Sequence, residues 1–69
     1  MTNEEKKALE IIENSPASRK LVDLLELINH SQDEQGLKSL LSIPFIKGRQ
    51  GLTQDVYARI SYIQRHAND

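Results

Sequence analysis

The segment 16–29 constrains the fold more than any other part of the sequence. Its six large apolar residues, placed on a helix at about 100° per residue, cover an arc of roughly 220°. They are Leu21, Val22, Leu24, Leu25, Leu27 and Ile28. Only a stripe through Arg19, Asp23 and Glu26 is left for water. A helix with so wide an apolar arc must contact neighbours on two sides. It is therefore either the centre of the fold or, in part, a contact with another chain.

Helical periodicity extends over the rest of the sequence and predicts an all-α fold in one domain, residues 1–69. No segment alternates between apolar and polar residues with a period of two, so no strand is predicted. The expected architecture is a small bundle built around the second of four helices, two of which are short. The predicted helices span about 3–14, 16–29, 32–43 and 54–66.

The predicted boundaries follow from residues that are typical of helix starts and stops. Thr2 and Glu5 have the spacing of a capping box, in which each side chain binds a backbone N–H of the other residue. The same spacing recurs later, beginning at Ser31. Pro44 is expected to end the third helix because it forces the preceding residue out of helical geometry. The residues expected to begin the four helices are Thr2, Ser15, Ser31 and Thr53.

The segment 47–51 is the one clear loop that the sequence predicts. Two glycines, Gly48 and Gly51, would let its backbone N–H groups line an anion pocket just before Thr53. Gly36, in contrast, lies within the predicted third helix, which it weakens by about 1 kcal/mol relative to alanine.

Positive charge is concentrated in the second half of the chain. Residues 37–69 carry five basic and two acidic residues, a net charge of +3, whereas residues 1–36 carry four basic and eight acidic residues, a net charge of −4. Such asymmetry indicates either a basic face for an anionic partner or two halves that complement each other within the fold.

Arg59, Tyr62 and His66 fall within about 60° of one another on the outer face of the last predicted helix. A tyrosine between cations can stack on a base while the cations contact phosphates. Lys47 and Arg49, in the preceding loop, would extend this surface. The alternative is a solvated face on which Tyr62 packs against its own neighbours.

Several function classes are excluded or disfavoured. The absence of cysteine excludes disulfides, thiolate-bound metals and thiol chemistry. No apolar run approaches the ~18–20 residues of a membrane span, and the first residues lack the apolar stretch of a secretory signal. We therefore expect a cytoplasmic chain that does not contact membranes. His30 and His66 lie in different segments and suggest neither a catalytic triad nor a metal site, so no enzymatic activity, metal or cofactor is predicted.

These observations favour a non-enzymatic protein-interaction module, a regulator or adaptor, that docks through the apolar surface of the second helix. Ordering a chain costs about 1.5 kcal/mol per residue, which for so short a chain roughly cancels the gain from its core. A partner protein, or a second copy of the chain, is therefore expected. Val22 and Leu27, at opposite edges of the arc, are the predicted docking residues. The alternative is a nucleic-acid-binding module whose contact residues would be Lys47, Arg49, Arg59, Tyr62 and His66.

Overall fold

The computed structural model describes residues 1–67, which form five helices and no strand. The prediction of an all-α fold is confirmed, and four of the five helices have seven or more residues, in line with the four predicted. The helices are α1 (Asn3–Asn14), α2 (Ala17–His30), α3 (Glu34–Leu40), α4 (Pro44–Lys47) and α5 (Gln50–Ala67).

A single cluster of ten buried apolar residues holds these helices together. α2 contacts α1 and α5, as its wide apolar arc predicts, and α3 contacts the same two helices. Only two residues of α2, Leu24 and Ile28, are fully buried. The ten core residues are Ala8, Leu24, Ile28, Leu37, Leu40, Ile43, Ile46, Leu52, Val56 and Ile60.

The start of α1 matches the predicted capping box and also ties this helix to α3. The Thr2 hydroxyl accepts a hydrogen bond from the Glu5 backbone N–H at 3.1 Å, and the Glu5 carboxylate accepts one from the Thr2 backbone N–H at 3.4 Å. The Thr2 hydroxyl also lies 2.7 Å from the hydroxyl of Ser39 on α3. Thr2 therefore caps α1 and also links this helix to α3.

The starts of α2 and α3 differ from the prediction. The N-cap of α2 is Pro16, because the Ser15 hydroxyl, expected to cap α2, instead donates to the Asp23 carboxylate at 2.9 Å. The N-cap of α3 is Asp33, whose carboxylate accepts a hydrogen bond from the Gln35 N–H at 3.1 Å. Ser31, the predicted N-cap, is buried and contacts α1.

The glycine of α3 makes room for a side chain of α1. The Ser31 hydroxyl donates to the Glu4 carboxylate at 3.0 Å, and this carboxylate lies directly over Gly36. A Cβ at Gly36 would overlap the Glu4 carboxyl group, and even Glu4 Cγ would be only 2.9 Å away. Gly36 therefore allows α1 and α3 to approach closely, a role that the sequence pattern did not reveal.

The segment between α3 and α5 is more helical than predicted. α3 ends at Leu40 rather than at residue 43, although Ile43 is extended before Pro44 (φ −76°, ψ 123°), as predicted. The predicted loop 47–51 is wrong in most of its length, because α4 includes Lys47 and α5 begins at Gln50.

The early start of α5 has a direct cause in the backbone. The Arg49 carbonyl accepts hydrogen bonds from the backbone N–H groups of Leu52 and Thr53, both at 3.1 Å, and so begins the helix. Thr53, the predicted first residue, lies inside the helix and its hydroxyl donates to the Gln50 carbonyl at 2.9 Å. Gly48 does not interrupt the chain either, because its φ is −79°, a value that any residue can adopt.

Substituting Gly36 and Gly51 by alanine is expected to change stability in opposite directions. Gly36→Ala displaces Glu4 and breaks its hydrogen bond with Ser31, and this loss exceeds the gain in helix propensity, so the free energy of unfolding falls by about 1 kcal/mol. Gly51→Ala meets no atom within 4 Å and raises the free energy of unfolding by about 0.5 kcal/mol through propensity alone.

Urea denaturation followed by circular dichroism measures both changes. In a Glu4→Ala background, the Gly36→Ala substitution is expected to become neutral or stabilising. If it remains equally destabilising there, the overlap with Glu4 is not its cause.

Candidate functional site

An apolar groove lies between α2 and α5 near the start of both helices. Its volume is about 370 Å³, and apolar groups make up most of its surface. The lining residues are Leu21, Leu25, Arg49, Gly51, Leu52 and Asp55. We call this feature the α2–α5 groove.

The helical spacing of its residues explains the groove. Leu21 and Leu25 lie one turn apart and share one face of α2. Leu25 is partly buried and packs against the core, and Leu52 is buried beneath the groove. Gly51 has no side chain, and nothing lies within 4 Å of the place where its Cβ would be. The groove is therefore open where α5 presents only backbone to α2.

Leu21 is more exposed than its place in the sequence pattern predicts. It lies near the middle of the apolar arc, where burial is expected, yet 48% of it is exposed. It lines the groove together with Gly51, which contributes no side chain there. The sequence pattern does not predict this exposure, since it depends on how α2 packs against α5.

Of the two predicted docking residues, one is exposed and the other is packed. Val22 is 42% exposed and adjoins Leu21 in the chain. Leu27 is partly buried and packs against the core, at the edge of the arc farthest from Val22. The exposed apolar pair of α2 is thus Leu21 and Val22.

Arg59, Tyr62 and His66 come together on α5, as their spacing predicts. The Arg59 guanidinium carbon lies 4.6 Å from the centre of the Tyr62 ring, and the ring centres of Tyr62 and His66 are 4.0 Å apart. Arg59 Nε also donates to the backbone carbonyl of Ser31 at 2.9 Å. Arg59 therefore fastens α5 to the connection between α2 and α3.

Lys47 and Arg49 lie at the other end of α5, so the five basic and aromatic residues do not form one patch. Arg49 and His66 are separated by 17 positions, which on a helix corresponds to roughly 25 Å. Arg49 instead packs on Phe45, with its guanidinium carbon 3.5 Å from the ring centre and Nη1 donating to the Phe45 carbonyl at 3.0 Å. Lys47 is exposed at the end of α4.

At residues 47–49, the backbone N–H groups predicted to line an anion pocket are already paired within the chain. The Gly48 and Arg49 N–H groups donate to the carbonyls of Pro44 and Ile46, both at 3.0 Å. No described residue has the positive φ that turns successive N–H groups toward one anion.

Two other features are absent from residues 1–67. No three histidine, aspartate or glutamate side chains in this part of the chain lie close enough to hold a metal ion. None of its helices combines the length and the hydropathy needed to cross a membrane. Comparison of the chain with known protein families, with curated proteins and with solved structures found no significant match.

The contacts of Arg59 generate a stability prediction. Arg59→Ala removes a charged hydrogen bond to the carbonyl of a buried residue and a cation–π contact, so the free energy of unfolding is expected to fall by about 1–2 kcal/mol. Arg65→Ala, at an exposed position of the same helix, is the matched control and is expected to change it by less than about 0.5 kcal/mol. Urea denaturation measures the free energy of unfolding of both variants. Equal effects would mean that Arg59 does not hold α5 in place.

Proposed function

We propose that this chain is a non-enzymatic protein-interaction module, a regulator or adaptor, that docks on its partner through the α2–α5 groove. The observation that carries the proposal is the exposure of Leu21 and Val22 beside a groove whose walls are mostly apolar. Single exposed apolar residues are ordinary on protein surfaces, but contiguous ones beside a concavity are typical of interaction sites.

The groove has the form of a site for an inserted apolar side chain. Binding energy in protein interfaces is concentrated in a few apolar anchors that fill pockets, surrounded by polar groups that exclude water. Here Leu25 and Leu52 line the concavity, while Arg49 and Asp55 supply its two charged groups. A volume of about 370 Å³ is enough for one or two such anchors from a helix laid along the groove.

The proposal depends on Leu21 rather than on Leu27. A charged residue in place of Leu21 would put a carboxylate into an interface that excludes water, and burying an unpaired charge is costly. A substitution at Leu27 would disturb the core instead, since this side chain packs against it.

Retention of partner proteins by the immobilised chain tests this function. With an extract of the source cells, Leu21→Asp is expected to reduce the retained partner at least tenfold, because 1.4 kcal/mol of lost binding energy already gives that factor. Tyr57→Asp is the matched control, since Tyr57 is 59% exposed on α5 and does not line the groove. Both variants are first compared with the wild-type chain by circular dichroism.

Two results would contradict the proposal. One is a partner whose retention is the same for the wild-type chain and for Leu21→Asp. The other is a partner that is lost with Tyr57→Asp and kept with Leu21→Asp, which would move the interface to another face of α5.

The alternative is a nucleic-acid-binding module, and the contact of Arg59, Tyr62 and His66 favours it. Tyr62 is 47% exposed, and aromatic rings next to cations are typical of surfaces that bind single strands. In this alternative Lys47 and Arg49 would contact a separate stretch of the phosphate backbone. The contacts of Tyr62 with Arg59 and His66 compete with base stacking, which makes this the second candidate.

A salt titration with a random single-stranded oligonucleotide tests the alternative. Each phosphate contact is expected to contribute a slope of about −0.7 to the plot of log affinity against log salt concentration. Tyr62→Ala is expected to weaken binding about fivefold or more through lost stacking, and Tyr57→Ala is the control. The absence of binding at low ionic strength would exclude this function.

A further inference from the structure

We propose that the occupant of the α2–α5 groove is a second copy of this chain, in a two-fold symmetric dimer in which Arg49 of each copy pairs with Asp55 of the other. This inference rests on the proposed function and specifies the partner. It follows from the charges and the free apolar surface around the groove.

The charges that line the groove are complementary to themselves under two-fold rotation. In a two-fold symmetric interface the same patch lies on both copies. A residue of one copy that contacts a second residue of the other copy is therefore matched by the same contact in the opposite direction. Arg49 and Asp55 are the charged residues that line the groove, and they have opposite signs. A groove with two like charges would repel its own copy, whereas this one attracts it at two points.

The spacing of the two residues suits an apolar contact between two ion pairs. Six positions separate Arg49 from Asp55, which is roughly 9 Å along the axis of α5. With the two-fold axis at the mouth of the groove, midway between them, both cross-copy pairs form at once. Leu21 of each copy, exposed at the groove, then contacts the apolar groups of the other copy.

Arg49 is already held in position for such a pair. Its guanidinium lies against the Phe45 ring and uses Nη1 to donate to the Phe45 carbonyl. A guanidinium has five N–H donors in a fixed plane, so a carboxylate can still be bound. Because the side chain is held beforehand, little conformational entropy is lost on association.

The carboxylate of Asp55 is available for an ion pair with another chain. It is partly buried beside apolar groups, and among residues 1–67 no cationic side chain forms an ion pair with it. Covering the groove with a purely apolar partner would desolvate this carboxylate without compensation. A second copy brings an arginine to the same place.

The size of the dimer interface sets the expected affinity between the two copies. With Arg49 paired to Asp55 across the axis, only the first turns of the two α5 helices meet, with Leu21 and Leu25 of α2 beside them. An interface of this extent lies at the small end of specific interfaces. We therefore expect a dimer with a Kd in the micromolar range.

Sedimentation equilibrium of the purified chain over a range of concentrations tests the pairing. The wild-type chain is expected to dimerise, and Arg49→Asp and Asp55→Arg are each expected to raise the Kd at least tenfold, because each brings like charges together in both pairs. When the two single variants are mixed, both pairs have opposite charges again. The mixture is therefore expected to form a heterodimer with a Kd within about threefold of the wild-type value.

Two further variants locate the interface. Leu21→Asp is expected to abolish dimerisation, and Tyr57→Asp, on a residue that does not line the groove, is expected to leave it unchanged. Circular dichroism verifies that all variants are folded, and the recovery in the mixture provides an internal control, since misfolded variants would not recover.

The outcomes separate this inference from the proposed function. A chain that stays monomeric up to about 1 mM overturns the dimer, while Leu21-dependent retention of a different protein would still support docking through the groove. A dimer that persists in both single variants, without preferential pairing in their mixture, overturns the Arg49–Asp55 arrangement. A dimer lost with Tyr57→Asp and kept with Leu21→Asp places the interface elsewhere and overturns the inference.

Discussion

The apolar arc of α2 is wider than the surface that the other helices can cover. Contacts with α1 and α5 bury Leu24 and Ile28 and leave Leu25 and Leu27 partly buried. At Gly51, however, α5 offers no side chain, and Leu21 stays exposed next to Val22. This incomplete cover creates the α2–α5 groove, from which both the proposed docking function and the proposed dimer follow.

Polar contacts supplement a core that is small. α1 contributes a single fully buried residue, Ala8, and its start is held to α3 by hydroxyl and carboxylate groups. Thr2 contacts Ser39, and Glu4 accepts a hydrogen bond from Ser31. Such hydrogen bonds are directional, so they add to the apolar contacts of Leu9, Ile11 and Ile12 with the core in fixing the orientation of α1. Arg59 likewise helps to fix the orientation of α5, because it donates a hydrogen bond to the carbonyl of Ser31.

Local patterns predict the parts of this fold that depend on neighbouring residues. The helical periods, the capping box at Thr2 and the extended conformation before Pro44 all follow from interactions within a few positions. The early start of α5 does not follow from the sequence pattern, because glycine is typical of loops, whereas Gly48 adopts an ordinary φ.

Features that depend on distant pairs could not be predicted. The role of Gly36 depends on Glu4, which lies over it, and the exposure of Leu21 depends on the packing of α2 against α5, which begins about thirty positions later in the chain. The sequence therefore predicts a helix with a wide apolar arc and one of its exposed residues, Val22. The second exposed residue and the groove itself required the packing of α2 against α5.

The proposed docking and the proposed dimer both require that the chain itself leaves the apolar surface at Leu21 and Val22 uncovered. Methyl NMR of a dilute sample with a neutral paramagnetic probe in the solvent measures this directly. The methyl groups of Leu21 and Val22 are expected to relax severalfold faster than those of Leu24, which is fully buried. Equal relaxation at Leu21, Val22 and Leu24 would show that the surface is closed and would contradict both proposals.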